Sequence, residues 1–436
     1  MKLKPFAITL ISLSIAFAFM PKAAQAAKFT VIADGLDNPR NLAFDANGNL
    51  YVTESGRGGD GADGRCIPSP SAGFIPLCAG QNGSVSRINK DGTKSTVLSG
   101  LTSLALSPSG EQAAGPADIK FDSQGNAYLL TGLAGDPNNR DTVLQSPDLG
   151  RLYRIDLATG ELTPIADFAA YEAANNPDGT DVISNPYAFT IKDDIAYVVD
   201  GGGNTIYSVG LDGSGIKNVN SFPLKPIDRD KLEYPDLGPD VDPNGLPVTQ
   251  QSVPTGIITA PDGSLTVTEY SYFPYPEGEA RIFKVDPVTL ETEVIADGFT
   301  QLTGATYDSE GNLYVLQHIN TSEWKEIEQG GNVIGDISGS LIKISPDGTR
   351  TTIWNGNGLE AASGITYGPD GKLYISNRAR LAGTGQIIAI DPNATVPEPS
   401  VTLGTMSAAA LGAASMMKKR KRNDSKELVD AELEKV

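Results

Sequence analysis

Short runs of alternating apolar and polar residues, joined in pairs by turns rich in Asp, Asn and Gly, recur along the chain. The first run is FDANGNLYVTES at Phe44, and similar segments begin at Phe121, Ile191, Thr259, Tyr307 and Tyr367. Alternation with a period of two on both sides of such a turn is typical of a β-hairpin in which each strand has one buried face. The pattern therefore predicts six hairpins.

Further strand-like runs follow most of these hairpins. Examples are SVSRINKDGTKSTVLSGL, RLYRIDLATGELTPIADF, RIFKVDPVTLETEVIADGF and LIKISPDGTRTTIWNGNG. Four short strands per repeat form the blade of a β-propeller, in which each sheet buries its faces against its neighbours. The sequence therefore predicts an all-β protein with a six-bladed β-propeller. The 48 Gly and 29 Pro among 436 residues supply the turns that this fold needs.

The last repeat ends after its third strand, QIIAIDP, while an unpartnered run, FTVIADGL, precedes the first repeat. That run, from Phe29 to Leu36, resembles the fourth strands ELTPIADF and TEVIADGF. We therefore expect the N-terminal strand to complete the last blade and close the ring, which removes exposed sheet edges.

Four insertions interrupt the repeats without dividing the propeller, which we place at 28–393. They span 56–83, 131–150, 222–252 and 318–339. In a propeller such insertions lie on the faces, where binding residues are usually found.

Equivalent positions in the six hairpins should form rings near the propeller axis. One such position follows the recurrent tyrosine (Tyr51 in the first hairpin) by three residues, and a second lies on the innermost strand. The candidate ring for ligand binding comprises Asn41, Glu54, Asp118, Asp200, Glu269, Gln317, His318 and Asn377. Glycines 256, 304 and 364 occupy the inner position in three other repeats and would leave room for a ligand.

The four carboxylates of this set, Glu54, Asp118, Asp200 and Glu269, are candidate calcium ligands, because calcium prefers oxygen. The alternative is that they only line a water-filled channel. His318, the one histidine, is either a general base or a lone surface residue. The sequence does not identify catalytic residues.

The N-terminal segment 1–26 has two early lysines, an apolar stretch and the small-residue site Ala24-Gln25-Ala26. These are the parts of a secretory signal peptide, with a membrane anchor as the alternative. Export also favours a disulfide between the only two cysteines, Cys66 and Cys78, over two free thiols.

The C-terminal segment 394–422 contains Pro-Glu-Pro, an apolar run at 401–417 and five consecutive basic residues, and a charged tail follows at 423–436. This order resembles the PEP-CTERM sorting signal of exported bacterial proteins. The resemblance implies an exosortase-type partner and membrane contact through 401–417. An uncleaved anchor is the alternative, and the extra tail departs from the usual pattern.

The formal net charge of the chain is −19. Both terminal segments carry net positive charge, so the body between them is more acidic still. Nucleic acid is therefore not an expected partner, because phosphate binding needs a basic surface.

Several stretches across the body, among them NPRNLAFDANGNLYVTESGRGG and TGIITAPDGSLTVTEYSYFPYPEGEARIFKVD, resemble the ScyD/ScyE family. These are exported propellers, similar to NHL-repeat and lactonase propellers and named from cyanobacterial gene clusters for the pigment scytonemin. The resemblance implies a periplasmic, envelope-associated or extracellular setting and supplies no reaction.

Two functions remain open at this point. The first is an exported binding protein for a small molecule, glycan or protein, accessory to a pathway outside the cytoplasm. The second is a calcium-dependent hydrolase that resembles lactonase propellers, with the metal in the central channel. The acidic ring favours the hydrolase, while the single histidine and the Thr131 and Gln317 ring positions favour the binding protein.

Overall fold

The computed structural model describes residues 29–71, 75–227, 248–328 and 332–393. The propeller lies in the compact unit Phe29–Pro392. The signal peptide, the sorting segment 394–422 with its apolar run at 401–417, and the tail 423–436 lie outside the described residues. Within the described residues, no helix is both long and apolar enough to span a bilayer.

Six antiparallel sheets carry almost all of the described strands, which confirms the predicted six-bladed propeller. The first strand, β1 (Thr30–Leu36), belongs to the last blade. Blade 1 contains β2 (Pro39–Phe44), β3 (Leu50–Glu54), the short β4 (Cys66–Pro68), β5 (Pro76–Ile88) and β6 (Lys94–Leu106). Blade 2 contains β7 (Pro116–Phe121), β8 (Ala127–Thr131), β9 (Arg151–Ile155) and β10 (Leu162–Asp167).

Blade 3 is formed by β11 (Pro186–Lys192), β12 (Ile195–Asp200), β13 (Thr205–Gly210) and β14 (Lys217–Ser221), and a two-stranded ribbon of β15 (Lys225–Ile227) and β16 (Val248–Gln250) follows. Blade 4 contains β17 (Pro254–Thr259), β18 (Leu265–Glu269), β19 (Ala280–Val285) and β20 (Thr292–Phe299). Blade 5 contains β21 (Leu302–Tyr307), β22 (Leu313–Gln317), β23 (Ser338–Ile344) and β24 (Arg350–Glu360). Blade 6 contains β25 (Ile365–Tyr367), β26 (Leu373–Asn377) and β27 (Gly385–Ile390), and β1 is its outer strand.

The first strands of the six blades surround the axis. Strands β2, β7, β11, β17, β21 and β25 each contact the next in this order, and β25 returns to contact β2. Blades 1 and 4 therefore lie on opposite sides of the axis, three steps apart in the ring.

The predicted closure of the ring is confirmed. Strand β1 pairs antiparallel with β27, with Thr30 opposite Ala389 and Leu36 opposite Gly385. Leu36 is fully buried and packs in a cluster with Leu42 and Ile387, which joins the first blade to the last.

The turns explain why the hairpin phrase recurs. In the first hairpin, Asp45 Oδ1 accepts hydrogen bonds from the backbone N–H groups of Asn47 (2.9 Å) and Asn49 (2.8 Å). Gly48 has φ +78°, a left-handed conformation that glycine adopts without strain. In other blades the hydroxyl of the recurrent tyrosine donates to the aspartate of its own turn, for example Tyr314 to Asp308 at 3.1 Å. The repeated residues thus fix each turn and its strand.

Few residues are helical. A 3₁₀ turn at Pro137–Asn139, helix α1 (Phe168–Asn175) and helix α2 (Glu323–Glu326) lie in connections between strands. Helix α1 begins at Asp167, whose side chain accepts a hydrogen bond from the Ala170 N–H and so caps the helix. The predicted disulfide is present: Cys66 is bonded to Cys78 and ties β4 to β5.

Truncation of Leu36 tests the closure. We expect Leu36→Ala to lower the free energy of unfolding by about 2–5 kcal/mol, because it removes buried volume from the seam between the first and last blades. Val31 lies in the same strand but is 45% exposed, so Val31→Ala should cost less than about 1 kcal/mol. Equal losses in denaturant unfolding would contradict the assigned closing strand.

Candidate functional site

The position three residues after the recurrent tyrosine does not face the channel. In every blade its side-chain oxygen accepts a backbone N–H from the same blade or from the segment just before that blade's first strand. The pairs are Glu54 with Asp37 N–H, Thr131 with Arg151, Asp200 with Asn185, Glu269 with Arg281, Gln317 with Thr300 and Asn377 with Glu360. This set of positions, the polar column, therefore ties strands together within a blade or holds a blade to the segment before it, which explains why it is polar in all six repeats.

The four carboxylates expected to bind calcium are held apart by partners of their own. Glu269 forms a two-pronged ion pair with Arg281, with contacts of 2.6 and 2.8 Å. Asp200 accepts N–H bonds from Asn185, Gly202 and Gly203 and an O–H bond from Ser184. Donors already satisfy these oxygens, so they do not meet as ligands.

The remaining two carboxylates show the same behaviour. Asp118 contacts Lys120 Nζ at 2.6 Å and accepts the Phe189 N–H, while Glu54 accepts a bond from the Ser86 hydroxyl. Among the described residues, no group of three or more His, Cys, Asp or Glu side chains is placed to hold a metal ion. The described residues therefore do not fit the calcium site that the sequence suggested, and the expected convergence is wrong.

The inner-strand position is equally occupied by protein. Asn41 donates to the carbonyl oxygens of Ala117 (3.2 Å) and Tyr187 (3.1 Å), in blades 2 and 3. A Cβ atom on Gly364 would lie 2.5 Å from the Arg40 carbonyl oxygen. The glycines at this position thus let neighbouring inner strands approach closely and do not leave room for a ligand, which corrects our expectation.

A cavity of about 420 Å³ opens beside the polar column and beside the inner column, which is the set of inner-strand positions equivalent to Asn41. Many of its lining residues are direct sequence neighbours of these two columns. Five of the six residues that directly follow the polar column line it, namely Ser55, Gly132, Gly201, Tyr270 and His318. Five of the six that directly precede the inner column do so as well, namely Arg40, Ala117, Tyr187, Thr255 and Thr303. Successive side chains of a strand point to opposite faces, so a shift of one residue exchanges the blade interior for the cavity.

The four predicted insertions all contribute to this cavity. They supply Pro70, Ala134, Gln251 and Glu323, one from each insertion, together with several neighbours. The expectation that the insertions form a binding face agrees with this arrangement.

His318 is the one predicted candidate that lines the cavity. It is 6% exposed, which excludes a surface histidine. Burial lowers the pKa of the imidazole to about 4 and outweighs attraction to Glu323, so the ring is neutral at pH 7. Its Nδ1 lies 2.8 Å from the Ala362 carbonyl oxygen and must donate there, which leaves the lone pair on Nε2.

Arg40 contributes a cation to the same cavity. Its guanidinium donates to the carbonyl oxygens of Ala113 (2.6 Å) and Ala379 (3.2 Å) and is half-buried. No ion pair joins it to a carboxylate of the described residues. Its charge also opposes protonation of His318, so the two groups lie within electrostatic range of each other.

A buried cluster of one arginine and two glutamates stabilises one side of the cavity. Arg380 contacts Glu111 Oε1 at 2.8 Å and also pairs with Glu323, joining loops of blades 1, 5 and 6. Burial opposes ionisation of Glu323, but attraction to Arg380 prevails and holds its pKa below the usual range. Arg380 therefore has carboxylate partners, whereas Arg40 has none within the described ranges.

Aromatic side chains form much of the remaining lining. Tyr270 donates its hydroxyl to Glu323 at 2.7 Å, and its ring centroid lies 5.8 Å from that of His318. Tyr272 donates across the cavity to the Pro70 carbonyl oxygen. Burial raises the pKa of Tyr187, an effect that nearby Arg40 opposes. The cavity thus combines apolar aromatic surface, the neutral His318 and four charged residues, namely Arg40, the paired Arg380 and Glu323, and the exposed Asp181.

Sequence reasoning missed Arg40 and the tyrosines of the cavity. The alternation of the strands was the available signal, because it places residues next to the polar column on the other side of each strand. The stretch TEYSYFPYPEGEAR also concentrates tyrosines directly after a blade strand.

Comparison with known proteins finds a partial likeness to one enzyme. No protein-family model matches the chain. Over 151 residues, or 32% of this chain, it is 28% identical to a gluconolactonase of Zymomonas mobilis subsp. mobilis, of which the match covers 37%. The match thus spans little more than a third of that relative's length.

Solved structures with a similar fold share little sequence with this chain. An aldose sugar dehydrogenase from Escherichia coli is 12% identical with a TM-score of 0.46, covering 84% of this chain and 100% of that chain. A streptogramin B lyase is 12% identical with a TM-score of 0.41, covering 83% and 97%. At these identities and TM-scores the matches carry no conclusion about this chain.

The buried histidine should make stability depend on pH. Its pKa is about 6.5 unfolded and about 4 folded, so the unfolded chain binds more protons between these values, and stability falls as pH drops. We expect His318→Gln to gain about 2–3 kcal/mol relative to the parent between pH 7.5 and 4.5. Denaturant unfolding at both pH values measures this gain, and a constant difference between variant and parent would contradict the buried neutral histidine.

Proposed function

We propose that the protein is an exported propeller that binds a small organic anion with an apolar or aromatic body in the face cavity. One observation carries the proposal: Arg40 lines an aromatic cavity with its guanidinium bound to two backbone carbonyl oxygens and close to the Tyr187 hydroxyl, and no carboxylate of the described residues pairs with it. Carbonyl groups satisfy N–H donors but do not neutralise the charge. A carboxylate ligand would do so through charge-assisted hydrogen bonds.

The size and surface of the cavity support a small molecule over a glycan chain or a protein. A volume of about 420 Å³ lies within the usual range for small-molecule sites, about 300–1,000 Å³. Tyr187, Tyr270 and Tyr275 offer apolar ring surface, which suits a ligand with an unsaturated or aromatic body.

The setting of the protein remains part of the proposal. The disulfide between Cys66 and Cys78 supports an oxidising compartment, in agreement with a cleaved leader at 1–26. We further propose that the segment 394–422 is read by an exosortase-type partner, that 401–417 contacts the membrane, and that the protein assists a periplasmic or extracellular pathway of the ScyD/ScyE type.

Matched probes test the charge requirement. The parent should bind 4-methylbenzoate at least tenfold more tightly than 4-methylbenzamide, which has the same shape without the charge. Arg40→Gln should remove this preference, because a charge-assisted hydrogen bond contributes about 1.5–3 kcal/mol. Calorimetry measures both affinities.

Arg154→Gln serves as the control, since Arg154 is an exposed arginine of blade 2 outside the cavity. It should leave the preference intact. Equal binding of acid and amide by the parent would refute the proposal.

Lactone hydrolysis is a second candidate, favoured by the neutral His318 and by the partial likeness to a gluconolactonase. In this reaction His318 Nε2 removes a proton from water while the water oxygen attacks the lactone carbonyl carbon. The carbonyl oxygen becomes an oxyanion, which Arg40 stabilises. The carbonyl then re-forms, the bond to the ring oxygen breaks, and that oxygen takes the proton from His318. Lactone and water thus yield a hydroxy acid.

Hydrolysis of dihydrocoumarin and D-glucono-1,5-lactone tests this candidate. With spontaneous hydrolysis subtracted, kcat should fall about 100-fold or more in His318→Gln. The parent's kcat/KM should stay level from pH 8 to about 5 and decline near pH 4, because that is where His318 gains a proton. Identical rates for parent and variant would leave only the binding function.

A further inference from the structure

Ser271 lines the cavity in a backbone conformation that serine rarely adopts. Its φ is +68°, in the left-handed region. It lies two residues after Glu269, and the equivalent residue of blade 1, two after Glu54, is Gly56 with φ +82°. Glycine takes this conformation without strain, whereas serine here costs conformational free energy. We therefore ask what the serine side chain contributes at this position.

The hydroxyl of Ser271 has no hydrogen-bond partner among the described residues. The residue is only 4% exposed, so water does not compensate fully. Its backbone N–H is satisfied by the Ser252 carbonyl oxygen at 2.9 Å, which fixes the main chain. Buried polar groups are nearly always paired, and an exception calls for an explanation.

Backbone strain is concentrated around the same cavity. Among the described residues other than glycine, sixteen have positive φ, and five of these line the cavity: Gln112, Ala134, Val253, Ser271 and Tyr275. Such conformations cluster at binding and catalytic sites, where function offsets their cost. Of the five, Ser271 is the one that combines the strain with a buried hydroxyl lacking a partner in the described part of the chain.

Ser271 and Arg40 both line the cavity and come from blades on opposite sides of the propeller axis. Arg40 belongs to β2 of blade 1, and Ser271 follows β18 of blade 4. These blades face each other across the axis in the ring of inner strands. A ligand whose carboxylate lies at Arg40 therefore extends its far end toward Ser271.

We propose that Ser271 is a specificity-determining residue whose hydroxyl binds a second oxygen of the ligand. The ligand class is then a carboxylic acid with an aromatic or apolar middle and a hydroxyl or carbonyl oxygen at its far end. The inference rests on the proposed binding of an organic anion at Arg40 and adds the second recognition point.

Pairs of probes that differ by one hydroxyl isolate the second contact. The three methylbenzoates differ from the three hydroxymethylbenzoates only by a hydroxyl in the ortho, meta or para position. For at least one position, the hydroxymethyl acid should bind the parent about 3- to 10-fold more tightly than the methyl acid. Ser271→Ala should abolish this gain and leave affinity for the methyl acid unchanged.

Two further variants separate a ligand contact from a structural role. Ser252 also carries a buried hydroxyl without a partner among the described residues, but it does not line the cavity, so Ser252→Ala should keep the gain. Ser271→Gly relieves the left-handed strain and should raise the thermal midpoint by about 1–3 °C while it loses the gain.

The outcomes distinguish the two proposals. If no benzoate binds in preference to its amide, the anion site itself fails. If the methyl acids bind at Arg40 but no hydroxymethyl isomer gains affinity, or if Ser271→Ala retains the gain, the anion site stands and the role of Ser271 is refuted.

Discussion

The pairing of β1 with β27 holds the first and last blades side by side, and the charged part of the cavity lies on that seam. Arg40 in blade 1 donates to the Ala379 carbonyl oxygen in blade 6, and Arg380 in blade 6 pairs with Glu111 from blade 1. Residues more than 250 positions apart in sequence thus meet because the ring is closed. The strand that completes the sheet also assembles the site.

The fold could be predicted because the structure of each hairpin depends on residues that are close together in the sequence. Asp45, Gly48 and the recurrent tyrosine specify a turn within a few residues, and six such turns with intervening strands permit few architectures. The disulfide followed from the presence of only two cysteines, close together in one insertion. These features depend on short-range contacts that a sequence displays directly.

The site was predicted less well, for a physical reason. Repetition marked Glu54, Asp200 and Glu269 correctly as equivalent, but equivalent polar positions can stabilise the blades instead of lining the channel. Their partners are backbone N–H groups of connecting segments or of the neighbouring strand, which no sequence pattern displays. The cavity residues differ from blade to blade, with Ser55, Tyr270 and His318 at one equivalent position. Variation among repeats was therefore the better guide to function, and His318 was found because it is the one histidine.

The cavity also shows where stability is given up. The polar column satisfies its hydrogen bonds within the protein. Around the cavity, by contrast, burial keeps His318 neutral, and the structure as described gives Arg40 no carboxylate partner and the strained Ser271 no partner for its hydroxyl. Strain and unmet polar groups gathered at one place are typical of a binding site, where a ligand supplies the missing partners.

The single histidine offers the most direct test of where the ligand binds. In protein labelled at histidine with ¹³C and ¹⁵N and purified without a histidine tag, the imidazole NMR signals come from His318 alone. Titration with 4-methylbenzoate should shift its NMR signals in a saturable manner, with the same dissociation constant as calorimetry gives. Binding in calorimetry without any change in the imidazole signals would show that the anion binds elsewhere and would contradict the account.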